Sequence, residues 1–175
     1  MTGQLSKQDW TDAGLRALEE DGFTSVKADI LARRLKVSRG SFYWHFKDIA
    51  AFEAALIERW RELLLEALDA SLSDVEPRER LRIIFTKSMR STRRVEIAMR
   101  GWATVRPDLK AQLDQIDARR ISYLQILVTE CGISGSEAEM IARVFYWTYL
   151  GHAMSTHLDE RAIPELVDQL LSLLD

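Results

Sequence analysis

Chain breakers are scarce in this sequence: eight glycines and three prolines among 175 residues. So few tight-turn residues disfavour a many-stranded β protein and favour long helices. A single cysteine, Cys131, excludes an internal disulfide framework and a zinc site built from several thiolates. No apolar stretch reaches the length of a membrane span, because charges recur throughout, and MTGQLSKQDW lacks the apolar core of a secretory signal. A soluble, cytoplasmic protein with no membrane partner is therefore expected. Charge of one sign is also lacking, since the net value is only −3, which argues against a generic nucleic-acid binder. What is present is 47% hydrophobic residues, enough to build a core.

The small net charge hides an uneven distribution. Between Arg33 and Lys47 stand five basic residues (Arg33, Arg34, Lys36, Arg39 and Lys47) and no acidic one. A basic island on a neutral-to-acidic chain suits a partner that meets one face only.

Apolar spacing predicts the helices. Trp10, Ala13, Gly14, Ala17 and Leu18 form a helical stripe, with Ser6 and Asp9 spaced as a cap before it and Gly22 as a stop after it. A short helix from about Lys27 to Leu35 buries Ala28, Leu31, Ala32 and Leu35. Ser38 then stands where an N-cap belongs, before a third short helix from Arg39 to about Phe46. Phe42 and Phe46, four apart, point inward together and leave Arg39, Ser41, Tyr43, Trp44 and His45 on other faces. Two short helices, a tight turn and an inward aromatic pair make a helix-turn-helix candidate.

Longer helices follow. Asp48 caps one expected to reach about Leu72, carrying Phe52, Leu56, Trp60, Leu63 and Leu64. Further helices are expected from Pro77, over Val95–Val105, over Pro107–Cys131, over Glu137–His157 with Ser136 as cap, and from Ile163. The fold class is all-α: a three-helix head, residues 1–47, and a six-helix C-terminal body, residues 48–175.

The recognition segment is VSRGSFYWHFKD, residues 37–48. In a helix-turn-helix the second helix lies in the DNA major groove with its N-terminal part at the base edges. Arg39 offers a two-pronged donor to guanine, and Gly40 and Ser41 let the backbone come close. Tyr43, Trp44, His45 and Lys47 are donors suited to phosphate. The competing reading is an aromatic core helix, but helical spacing keeps Tyr43, Trp44 and His45 from all following the phenylalanines inward.

Residues 6–56 resemble the DNA-binding head of the TetR/AcrR family of transcriptional regulators. The resemblance rests on Trp10 to Leu18, Gly22-Phe23, Leu31-Ala32, Val37-Ser38-Arg39-Gly40 and Ser41-Phe42-Tyr43-Trp44-His45-Phe46. It implies a homodimeric repressor that binds a pseudo-palindromic operator in double-stranded DNA and is released by a small effector. The implied DNA-contacting residues are Lys27, Ser38, Arg39, Gly40, Ser41, Tyr43, Trp44, His45 and Lys47. The chain departs from the family pattern in three places. Lys36 replaces the usual glycine between the short helices, where a left-handed backbone disfavours a side chain. Lys27 stands where a Ser or Thr usually opens the second helix, with Thr24 or Ser25 as alternative caps. Ile49 stands where a lysine is common.

The remaining residues resemble the family only in helical content and length. The resemblance implies an effector pocket inside the body, and the candidate lining is Phe85, Met89, Met99, Trp102, Tyr123, Phe145 and Tyr149. Aromatics with a few polar tips suit an apolar or aromatic ligand, though the same residues also make ordinary core. It also implies dimerisation through the last two helices. The stripe Leu166, Leu170, Leu171 and Leu174 would be costly in water, so it either pairs with a copy or closes the chain's own core. The alternative function is a regulator of this fold controlled by a protein partner, with no small-molecule effector.

Signals for an enzyme are weak. His152 and His157 are five apart, not the three or four that align metal ligands on a helix. Gly132-Ile133-Ser134-Gly135-Ser136 lacks the spacing and preceding strand of a nucleophile turn. No catalytic residue, metal site or cofactor is expected.

Overall fold

Ser6 opens the first helix as its sequence pattern predicts. In a computed structural model that describes residues 5–67, 74–90, 93–155 and 160–175, α1 spans Lys7–Asp21. The Asp9 N–H donates to Ser6 Oγ at 3.2 Å and the Ser6 N–H donates to Asp9 Oδ2 at 2.7 Å, a reciprocal cap. At the other end Gly22, at φ 74°, donates its N–H to the Leu18 carbonyl at 3.0 Å. Glu19, Glu20 and Asp21 oppose the helix dipole there. Arg34 offsets them from α2 (Ala28–Arg34), pairing with Glu20 at 2.5 Å and with Asp21.

α3 spans Arg39–His45 and α4 spans Ile49–Ala67. Asp48 caps α4 by accepting from the Ala51 N–H at 2.8 Å. The continuation of α4 toward Leu72 and the Leu64 side chain lie outside the described residues. Leu63, placed on the apolar face by its spacing, is 36% exposed. α6 (Arg93–Ala103), α5 (Pro77–Arg90), α7 (Pro107–Glu130), α8 (Gly135–Met154) and α9 (Ile163–Leu171) complete the fold, with no strand among the described residues. None of these helices is long and apolar enough to cross a membrane.

Two compact units result: Met1–Leu68 with Ala98–Val105, and Asp69–Ile97 with Arg106–Asp175. The first unit therefore extends past the 47/48 boundary drawn from the sequence. Its physical reason is the α1–α4 contact. Phe52 and Leu56 are fully buried, close to Gly14 of α1, and Arg59 donates to Asp12 at 3.2 Å. Met99 and Trp102 are buried in this unit too.

In the second unit α5, α7, α8 and α9 pack together. α8 starts at Gly135 after Ser134, two residues before its expected start, so Ser136 is not its cap. It ends at Met154, and His157 lies outside the described residues. The α9 stripe, by contrast, is mostly covered within the chain. Of the expected stripe Leu170, Leu171 and Leu174 are buried, together with Ile163 and Val167, and α9 packs against α5, while Leu166 is only half-buried. Ion pairs Arg82–Asp168 and Arg78–Asp175 flank that contact.

Candidate nucleic-acid interface

A surface helix that is to present fixed side chains needs an immobile back, and four aromatic rings supply one to α3. Phe42 is fully buried, with its ring centroid 5.3 Å from those of Trp10, Phe46 and Phe52. Phe46 and Phe52 lie 5.0 Å apart, edge to face. Such pairs add about 0.5–1.5 kcal/mol each beyond burial. Helix α3 is only seven residues long, too short to stand alone, so this cluster is what holds it.

The opposite face of α3 is open. Arg39 and Gly40 are exposed, Tyr43 is 48% exposed and Trp44 77%. Ser41 and His45 are half-buried, and Lys47 is exposed just beyond the helix. The Arg39 guanidinium lies 5.5 Å from the Tyr43 ring centroid and donates to the Tyr43 hydroxyl at 3.0 Å. That hydrogen bond raises the Arg39 pKa further above the usual arginine value. A β-carbon on Gly40 would meet only Ser38 Oγ, at 3.6 Å, so the backbone there is accessible.

The approaches to α3 differ from the simplest expectation in detail. Ser38 occupies the N-cap position with extended backbone, but its side chain makes no capping bond. Lys27, exposed, is the N-cap of α2, again without a side-chain cap. Neither Thr24 nor Ser25 takes that role. Ser25 Oγ instead lies 2.8 Å from the Ala17 carbonyl and 2.7 Å from that of Gly22, fixing the turn beneath α1. Ile49 is the first residue of α4 and 38% exposed.

The turn between α2 and α3 closes with two backbone bonds. Lys36 N–H donates to Arg33 O at 3.2 Å and Val37 N–H to Ala32 O at 3.0 Å. This is a Schellman ending with Lys36 at the left-handed position, φ 57°. Lys36 thus adopts the conformation that its place in the sequence predicted.

The candidate effector residues do not all gather in one unit. Phe85, Met89, Phe145 and Tyr149 are buried in the second unit, where the Phe85 and Phe145 rings meet at 5.2 Å, and Tyr123 is half-buried. Met99 and Trp102 belong to the first unit. Spacing overlooked a polar cluster in the second unit's interior. Glu96, with no exposure at all, accepts from Arg120 at 3.0 and 3.3 Å and from the Tyr149 hydroxyl at 3.3 Å. Burial works to lower the Arg120 pKa, but the Glu96 carboxylate outweighs it and the guanidinium is held firmly charged. The signal was present. Glu96 lies on the buried stripe of α6, three before Met99, and Arg120 lies on that of α7, four after Ile116.

Residues 11–56 match the model for bacterial regulatory proteins of the tetR family. The transcriptional regulator AcuR of Cereibacter sphaeroides is 38% identical over 85 residues, 47% of this chain and 38% of that protein. The HTH-type transcriptional regulator AcrR of Shigella flexneri is 26% identical over 107 residues, 48% of this chain and 50% of that protein. The matches thus span half or less of these relatives. A transcriptional regulator from Rhodococcus sp. Rha1 superposes with a TM-score of 0.76 at 20% identity, over 97% of this chain and 94% of its own. Salmonella enterica GusR gives 0.68 at 20% identity, over 98% and 95%. At such identities the structural likeness carries the fold alone.

Proposed function

We propose that this chain, a member of the tetR family of bacterial regulatory proteins, is a DNA-binding repressor that acts as a homodimer and responds to a small apolar or aromatic effector. The observation that carries the reading is the two-sidedness of α3: Phe42 is sealed against Trp10 and Phe52 while Arg39, Tyr43 and Trp44 face solvent. Arg39 reads a guanine edge, and Lys27, Tyr43, Trp44, His45 and Lys47 hold phosphates. Two heads meet successive major grooves of a pseudo-palindrome, about 34–36 Å apart. The effector seat is the interior of the second unit, around Phe85, Phe145 and Tyr149. An occupant there alters how the paired heads meet their half-sites, and linkage requires DNA to weaken effector binding by the same factor.

Of the last two helices we centre the dimer face on α8, because Leu170, Leu171 and Leu174 of the α9 stripe are already buried. On α8, Met140, Val144, Trp147, Gly151 and Met154 recur at helical spacing, and Met140, Trp147 and Met154 are about half exposed. That outward stripe is the surface with which a second copy pairs.

Selection of genomic fragments by the purified protein, read by sequencing, should return a short two-fold-symmetric site. On that site Arg39→Ala should cost about 1–3 kcal/mol and relax one position, while Lys47→Ala should weaken all sequences alike and flatten the salt slope. Wild-type affinity in both variants would refute the assignment.

A further inference from the structure

Lys36 holds a backbone conformation that its side chain opposes. The position after a helix that ends in a Schellman motif is left-handed and belongs to glycine, because a β-carbon there crowds the next carbonyl. Lys36 adopts it at φ 57°, the one positive φ outside glycine among the described residues. Nothing inside the head offsets the strain. Lys36 is exposed and has no acidic partner among the described residues, and the bond it makes in the turn, to the Arg33 carbonyl, comes from its backbone N–H, which glycine would supply equally well.

Its basic neighbours on α2 are already engaged. Arg33 pairs with Asp29 at 3.5 Å, and Arg34 is tied to Glu20 and Asp21 across the α1 terminus. Of the basic island, Lys36 therefore stands free, two residues before Ser38 and three before Arg39, at the entrance to the reading helix. A cation with no partner in the fold, kept where the backbone disfavours it, has its use outside the chain.

We propose that Lys36 is a phosphate-contacting residue of the DNA interface, and that the strained turn is retained for the charge it carries. This rests on the DNA-binding reading above and adds a contact at the turn to those on α2, on α3 and after it. Because a phosphate contact is independent of sequence, it can be measured without the operator.

The test uses the full chain and a labelled mixed-sequence duplex of about 30 base pairs, titrated at several salt concentrations. Three variants separate charge from backbone. Lys36→Gly removes both charge and strain, Lys36→Asn removes the charge with a residue that tolerates the left-handed region, and Lys36→Arg keeps the charge. Lys36→Gly should melt about 2–4 °C above wild type. It should also bind about fivefold more weakly per head at 0.15 M salt, with a log–log salt slope shallower by about 0.9 for each head bound. Lys36→Asn should show the same loss of slope, and Lys36→Arg should keep the wild-type slope. Unchanged slope and affinity in the Gly and Asn variants would overturn the proposal. So would a loss confined to Lys36→Gly, which would make the effect one of backbone. Failure of the wild-type chain to bind any duplex would instead remove the DNA-binding reading itself, and it is seen before any variant is compared.

Discussion

Gly14 sits in the middle of α1, where alanine should be the better helix residue by about 1 kcal/mol. Gly14→Ala should nevertheless destabilise the protein. A β-carbon at this position would lie 2.7 Å from Phe52 Cζ and 2.9 Å from Leu56 Cδ1, well inside van der Waals contact. Neither neighbour can yield. Leu56 is fully buried, and the Phe52 ring is braced by Phe42 at 5.3 Å and Phe46 at 5.0 Å. Overpacking of this kind costs about 1–3 kcal/mol. With the helix-propensity gain of about 1 kcal/mol subtracted, the net loss is up to about 2 kcal/mol, a fall in Tm of up to about 4–8 °C.

A matched control makes the sign meaningful. Gly101 of α6 is exposed, and a β-carbon there would meet nothing within 4 Å, so Gly101→Ala should gain up to about 1 kcal/mol. Thermal unfolding by circular dichroism reads both. Because Phe52 also supports Phe42, Gly14→Ala should weaken DNA binding beyond its effect on stability, and Gly101→Ala should not. If Gly14→Ala melts at or above the wild-type temperature, the α1–α4 contact is looser than described and the rigid backing of α3 falls with it.

Three further outcomes are expected. Trp147→Asp places a charge in the outward α8 stripe and should shift sedimentation toward monomer with little change in helicity; an unchanged dimer would move the interface elsewhere. Arg120→Met strands the buried Glu96 carboxylate and should cost about 3–5 kcal/mol in denaturant titration, most of it recovered when Glu96→Gln is added; a single-variant cost under about 1 kcal/mol would contradict a sealed ion pair. The Asp108 carboxyl, held down chiefly by its hydrogen bond from Arg106, should titrate near about 2 by NMR rather than near 3.8. Since its folded-state pKa is depressed, its stabilising contribution is present above 3.8 and fades as pH falls toward 2. Arg106→Gln should return the midpoint toward 3.8, and an unmoved midpoint would exclude the pair.

Helix starts and stops with local causes were legible in the sequence. The Ser6–Asp9 pair, Gly22, Asp48, Pro77 and Pro107 each act within a few residues of themselves, and α1, α4, α5 and α7 begin beside them. The buried and exposed faces of α3 were legible for a related reason, since Phe42 and Phe46 admit only one inward direction. The Arg34 clamp was not, because its partners on α1 lie 13 and 14 residues away and no local pattern joins them. The Glu96–Arg120 pair lay in between. Each charge sits on an apolar stripe, which marks it as buried, yet only the packing of α6 and α7 shows that the two meet.

The two C-terminal helices separate what periodicity carries from what it lacks. An apolar stripe states that a face leaves water, and it says nothing of which surface covers it. On α9 the stripe at Ile163, Val167, Leu170, Leu171 and Leu174 is strong, and the chain's own α5 meets it. On α8 large apolar residues fall on more than one side, with Glu139, Arg143, Thr148 and His152 among them. Ile141, Phe145, Tyr149 and Ala153 go inward, and Met140, Trp147 and Met154 are left outside. Large apolar side chains left in water opposite a buried face have more surface to bury than their own unit supplies. The weaker amphipathic pattern is what the proposed pairing of α8 requires, because an interface helix must satisfy a core on one side and a second copy on the other.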